Sequence, residues 1–84
     1  MNVIPEKRDS TEELIQKLIE HQQTKVLNVA REIVPDLTSE DILNPQDFPN
    51  LVADTLFNYE DGILTGYLTV QTALRKKSQR ENPE

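Results

Sequence analysis

The run Ser10-Thr11-Glu12-Glu13-Leu14-Ile15-Gln16-Lys17-Leu18-Ile19, continued to Ile33 and closed by Val34-Pro35, decides the fold. Ser10 and Glu13 have the spacing of a capping box. The Ser10 hydroxyl accepts from a free amide of the first turn, and the Glu13 side chain reaches back to the Ser10 amide. Glu12 and Glu13 also suit the positive end of a helix dipole. Behind the cap, Ile15, Ile19, Gln22, Val26, Val29 and Ile33 recur at alternating steps of four and three, the spacing of a helical stripe. Leu14, Leu18 and Ala30 flank that stripe, while Lys17, Glu20, Thr24, Asn28 and Arg31 project opposite it. Glu13 and Lys17 make a favourable pair one turn apart. Proline disfavours helical geometry in the residue before it, so Val34-Pro35 ends the helix. The segment predicts one amphipathic helix over about 11–33.

Downstream, the chain is dense with start signals. Thr38-Ser39-Glu40-Asp41 is a second box-like cap, with Leu37 and Ile42 placed as a hydrophobic staple, and it predicts a short helix over about 39–43. Asn44-Pro45-Gln46-Asp47 repeats the logic with Asn as cap and Pro at the first helical position. Leu43 and Phe48 have staple spacing there, and Pro49 is read as its stop. A second long helix is predicted over about 55–77, starting between Asp54 and Asn58. Its stripe is read as Tyr59, Ile63, Tyr67, Val70 and Leu74, widened by Leu64 and Leu68 on one side and Ala73 on the other. So broad an apolar arc has more than one face to bury. Gly62 and Gly66 lie four apart, each costing about 1 kcal/mol of helix propensity relative to alanine. The pair suggests close approach by another helix. Residues 1–9, with Pro5, read as a flexible arm and 78–84 as a frayed tail.

The expected fold is therefore all-α, a single domain over 10–77. It is an antiparallel hairpin of two long helices with one or two short linker helices. The first helix has one face to bury and the second about two. A homodimeric four-helix bundle with the second helices central satisfies both. Gln22, Tyr59, Gly62, Ile63, Gly66, Tyr67, Val70 and Leu74 are its expected interface. Gln22 either fixes register as a buried amide or stays wet at the stripe edge.

Length and charge narrow the function. A folded part of about 70 residues buries only roughly 60% of its unfolded surface, which favours self-association. The chain has no cysteine, which removes disulfides, thiolate metal sites and cysteine nucleophiles. No apolar run approaches a membrane span, and the first residues lack the apolar core of a signal peptide, so a cytoplasmic setting is expected. The net charge of −6 opposes nucleic-acid phosphates. Between Arg31 and Arg75 there is no basic residue, while Glu32, Asp36, Glu40, Asp41, Asp47, Asp54, Glu60 and Asp61 fall in that stretch. Positive charge collects at the open end of the hairpin, in Lys7, Arg8, Arg75, Lys76, Lys77 and Arg80.

Candidate chemistry is thin. His21 projects away from the first stripe, and no orienting partner or nucleophile accompanies it, so it reads as a solvated side chain. Asp41, Asp47, Asp54, Glu60 and Asp61 are donors of the type a hard cation takes, but without the spacing of a calcium loop. Capping and solvation account for them. Gly62-Ile63-Leu64-Thr65-Gly66 has the spacing of a helix-packing motif and is not a phosphate loop. The run Arg75-Lys76-Lys77 complements a helix C-terminus and lacks the aromatics of a nucleic-acid surface. The linker tip is the most promising partner site. Asp47, Phe48, Leu51, Asp54 and Phe57, with Val52, combine apolar anchors with an acidic rim suited to a basic or amphipathic protein. The competing reading turns those aromatics inward as a plug for the bundle end. The expectation is a non-enzymatic interaction or regulatory module without a cofactor. Metal-dependent activity at the acidic linker and a nucleic-acid accessory role for the basic end are the alternatives.

Overall fold

The computed structural model describes residues 10–81, and every element within them is helical. Two long helices, α1 (Ser10–Ile33) and α3 (Thr55–Glu81), flank a linker. The linker holds two 3₁₀ turns, Asp41–Leu43 and Pro45–Asp47, and a one-turn helix, α2 (Pro49–Val52). It thus has three short elements where one or two were expected. The arm at 1–9 lies outside the described residues. The last helix runs past Lys77 to Glu81, and no glycine or proline follows Gly66 until Pro83 to interrupt it.

The long helices pack antiparallel, and the polar pairs between them give the register. Gln22 meets Glu60, Gln71 donates to Gln16 at 2.8 Å, and Ser78 donates to Glu12 at 3.5 Å. The apolar core is concentrated at the linker end, where Val26 and Ala30 of α1 meet Leu37, Leu51 and Phe57. Toward the open end only Ile19 is fully buried. The rest of that seam among the described residues mixes half-buried Ile15, Leu18, Tyr67 and Leu74 with the Gln16–Gln71 pair, so packing weakens along the hairpin.

The linker closes as a chain of caps. The Thr38 amide donates to Asp41 Oδ2 at 3.0 Å and the Asp41 amide donates to Thr38 Oγ1 at 3.1 Å, a reciprocal box with Asp in the place of Glu. Leu37 is buried behind it and Ile42 half-buried, whereas Leu43 is 74% exposed, so no staple joins Leu43 to Phe48. A single turn carries Ile42 inward and necessarily swings Leu43 out. Asn44 makes no side-chain cap: at ψ 61° it is away from the extended geometry that aims a cap at the next turn. Phe48 is extended, at φ −126° and ψ 90°, as the residue before a proline tends to be, so the second turn ends ahead of Pro49. Pro49 then begins α2, where its missing amide costs nothing. The Arg31 Nε–H ties the linker back to α1 by donating to the Leu37 carbonyl at 2.8 Å. Asp54 caps α3 by accepting the Phe57 amide on Oδ2 at 2.8 Å.

The molecule measures 53 × 21 × 18 Å. With only two long helices among the described residues, the side of each turned away from the other has no long helix against it.

Candidate functional site

The face of α3 turned to α1 is set by Phe57, Glu60, Leu64, Tyr67, Gln71 and Leu74. All are buried or half-buried, at steps of three and four. The stripe read from sequence is thereby divided: Tyr67 and Leu74 lie on this face, while Tyr59 and Val70, expected at a dimer interface, lie off it. Tyr59 is 65% exposed and Val70 45%. Of the other expected interface residues, Tyr67, Leu74 and Ile63 are half-buried, and Gly62 and Gly66 are exposed.

Turning α3 about its axis from the α1-facing side uncovers a second seam, Leu56, Tyr59, Ile63, Gly66, Val70 and Ala73, again at steps of three and four. Of these only Ile63 is even half-buried. A side chain added at Gly62 or Gly66 would meet nothing within 4 Å, so the helix approach that the glycines suggest is not made inside this chain. From Gly62 to Leu74 the helix has no charged residue. On the flank, the Thr69 hydroxyl is folded onto its own helix, donating to the Thr65 carbonyl at 2.9 Å. A continuous uncharged surface with several large apolar groups is the kind of patch that marks an interaction site.

Beside it lies a buried polar crosspiece between the long helices. Gln22 is 5% exposed and Glu60 6%. The Gln22 amide donates to the Glu60 carboxylate at 2.7 Å and to the Glu60 backbone carbonyl at 2.9 Å. Lys25 Nζ sits 3.8 Å from the second carboxylate oxygen. Gln22 thus fixes register, but between α1 and α3 of one chain. Glu60, read from sequence among the solvated acids of the linker, is a core residue. Its neighbour Asp61 is half-buried, and burial holds its carboxyl above the ordinary value.

At the linker tip, Leu51 and Phe57 are buried, which removes them from any exposed partner surface. The structure keeps Asp47 exposed, Phe48 and Asp54 half-buried, and Val52 and Leu56 about half exposed. The inward reading describes both aromatics: Phe57 is buried in one cluster with Val26, Ala30, Leu37 and Leu51, and the half-buried Phe48 packs against that cluster.

Open clefts lie along the hairpin. One of about 630 Å³ lies between the open ends, lined by Glu12, Ile15, Gln16, Leu74 and Arg75 among others. Another, about 450 Å³, lies between α1 and the linker over Leu27, Ile42, Leu43 and Leu64. His21 is exposed and lines neither. Among the described residues no three His, Asp or Glu side chains are grouped to hold a metal ion, and no helix is long and apolar enough to cross a membrane. No protein-family model, no curated protein and no solved structure matches the chain.

Proposed function

We propose that this chain is a small, non-enzymatic protein-interaction module that works as a homodimer joined through the outer face of α3. One observation carries the reading: the seam from Leu56 to Ala73 is apolar and largely exposed, and nothing among the described residues covers it. A helix with that pattern gains by burying it against another helix, and a four-helix bundle with the two α3 helices central does so. A cytoplasmic setting goes with this reading, since a chain without cysteine needs no oxidising compartment.

The test is solution mass by light scattering over a concentration series, for the native chain and for Tyr59→Glu combined with Val70→Glu. The native chain is expected to reach about twice its 9.7 kDa. The double variant is expected to stay monomeric with unchanged helix content, because both positions are exposed in the hairpin. A native chain that remains monomeric at all concentrations would overturn the reading. A basic or amphipathic protein at the linker tip is a second reading. It is supported by Val52 and Leu56, about half exposed beside Asp47 and Asp54, in a stretch with no basic residue.

A further inference from the structure

We infer that the second copy lies antiparallel on α3 in one register, with Leu56 on the partner's Ala73, Tyr59 on the partner's Val70 and Ile63 on the partner's Gly66. The inference rests on the homodimer reading and adds its orientation. Two features of the seam carry it.

The first is side-chain size. Leu56, Ile63 and Val70 repeat every seven residues, and Tyr59, Gly66 and Ala73 do the same. A parallel pair matches each residue with itself. Tyr59 would then collide with Tyr59, while Gly66 against Gly66 and Ala73 against Ala73 would leave gaps that a packed interface does not tolerate. An antiparallel pair matches the first series with the second. Leu then meets Ala, Ile meets Gly, and Val meets Tyr, so each large group has a small or moderate one opposite. The set maps onto itself about a two-fold axis between Ile63 and Gly66, as an isologous interface requires. Nothing within 4 Å of a Cβ at Gly66 leaves room for the incoming Ile63.

The second is charge. Asp54 caps the start of α3, Arg75, Lys76 and Lys77 lie toward its end, and no charge lies from Gly62 to Leu74. Glu60 is buried against Gln22 and takes no part. Antiparallel packing in this register sets Asp54 beside the partner's Arg75. Parallel packing sets like beside like, which is unfavourable across an interface. In the antiparallel dimer the two acidic linker tips point to opposite ends.

The chain has no cysteine, so single cysteines report pairing cleanly. Leu56→Cys and Ala73→Cys chains, one of them tagged to separate the products by mass, are mixed, confirmed dimeric by light scattering and oxidised. Both positions are exposed, so neither change disturbs the hairpin. The expected product is the mixed 56–73 cross-link, with each chain alone cross-linking poorly. Gly66→Leu is expected to weaken self-association about ten-fold or more by overfilling the site opposite Ile63. Dimers that link 56 to 56 and 73 to 73 would overturn the orientation and leave the homodimer reading standing. Dimers that form neither link would overturn the use of this seam. A sample that is monomeric before oxidation would overturn the homodimer reading itself.

Discussion

Glu60 is the residue whose surroundings depart furthest from its type. A carboxylate removed from water loses several kcal/mol of hydration, and a partner must return most of it. Gln22 supplies a short hydrogen bond at 2.7 Å, while Lys25, itself half exposed, stands at 3.8 Å and contributes less. Removing Gln22 leaves the carboxylate buried against an apolar seam. Gln22→Ala is therefore expected to destabilise the fold by about 2–4 kcal/mol, read as a lower urea midpoint in far-UV circular dichroism. Glu60→Gln keeps an acceptor for the Gln22 amide and is expected to cost about 1 kcal/mol or less. Gln22→Leu combined with Glu60→Met removes both polar partners and is expected to come out near neutral. A double variant as unstable as Gln22→Ala would show that the pair does more than satisfy itself.

At the scale of elements, α1 and α3 were unequally legible. The stripe of α1 was readable because its apolar residues occupy one arc and Gln22 falls in register with them. The α1-facing side of α3 was not, because two of its positions are Glu60 and Gln71, which hydropathy assigns to solvent, while Tyr59 and Val70 on the neighbouring face continue an apolar stripe. Only the residues opposite, Gln22 and Gln16, make those polar positions sensible, and a single sequence does not say which residues face each other. The start of α3 was bounded only between Asp54 and Asn58, whereas the cap at Thr38–Asp41 was readable because it is local. Leu43 and Asn44 were misread for the same reason, since each fits a local pattern that the tight succession of 3₁₀ turns overrides. The glycines read as a cost to the helix and as an approach by another helix, and the described residues of the hairpin make no such approach. This sets a prediction with opposite signs in two measurements. A Cβ at Gly62 or Gly66 meets nothing, so Gly62→Ala and Gly66→Ala are each expected to stabilise the helix by about 0.5–1 kcal/mol, seen as a higher Tm in dilute solution. Gly66→Ala is expected to weaken self-association at the same time, because Ile63 of the second copy needs that space. Gly62 lies beside the seam, so Gly62→Ala is expected to weaken it less.

For the whole molecule, net charge and charge layout make opposite demands on association. Two chains of −6 repel, so any substitution that lowers the negative charge favours pairing if net charge governs. The layout along α3 favours pairing only when the acidic start of one helix lies beside the basic end of the other. Asp54→Asn separates the two effects. Asparagine retains the cap on the Phe57 amide, so the start of α3 is preserved, and the net charge falls to −5 from −6 by loss of one carboxylate. By net charge alone the variant should associate more tightly. In the antiparallel register Asp54 lies level with Arg75 of the second copy, and symmetry removes two such pairings at once. Exposed pairs contribute about 0.2–1 kcal/mol each, so the dimer is expected to weaken by on the order of 1 kcal/mol, about five-fold in Kd. Sedimentation equilibrium at low ionic strength measures this, and the difference should close in about 1 M salt, where screening reaches about 3 Å. Tighter association of Asp54→Asn would mean that net charge governs and would remove the electrostatic half of the case for antiparallel pairing, leaving side-chain size along the seam to decide it.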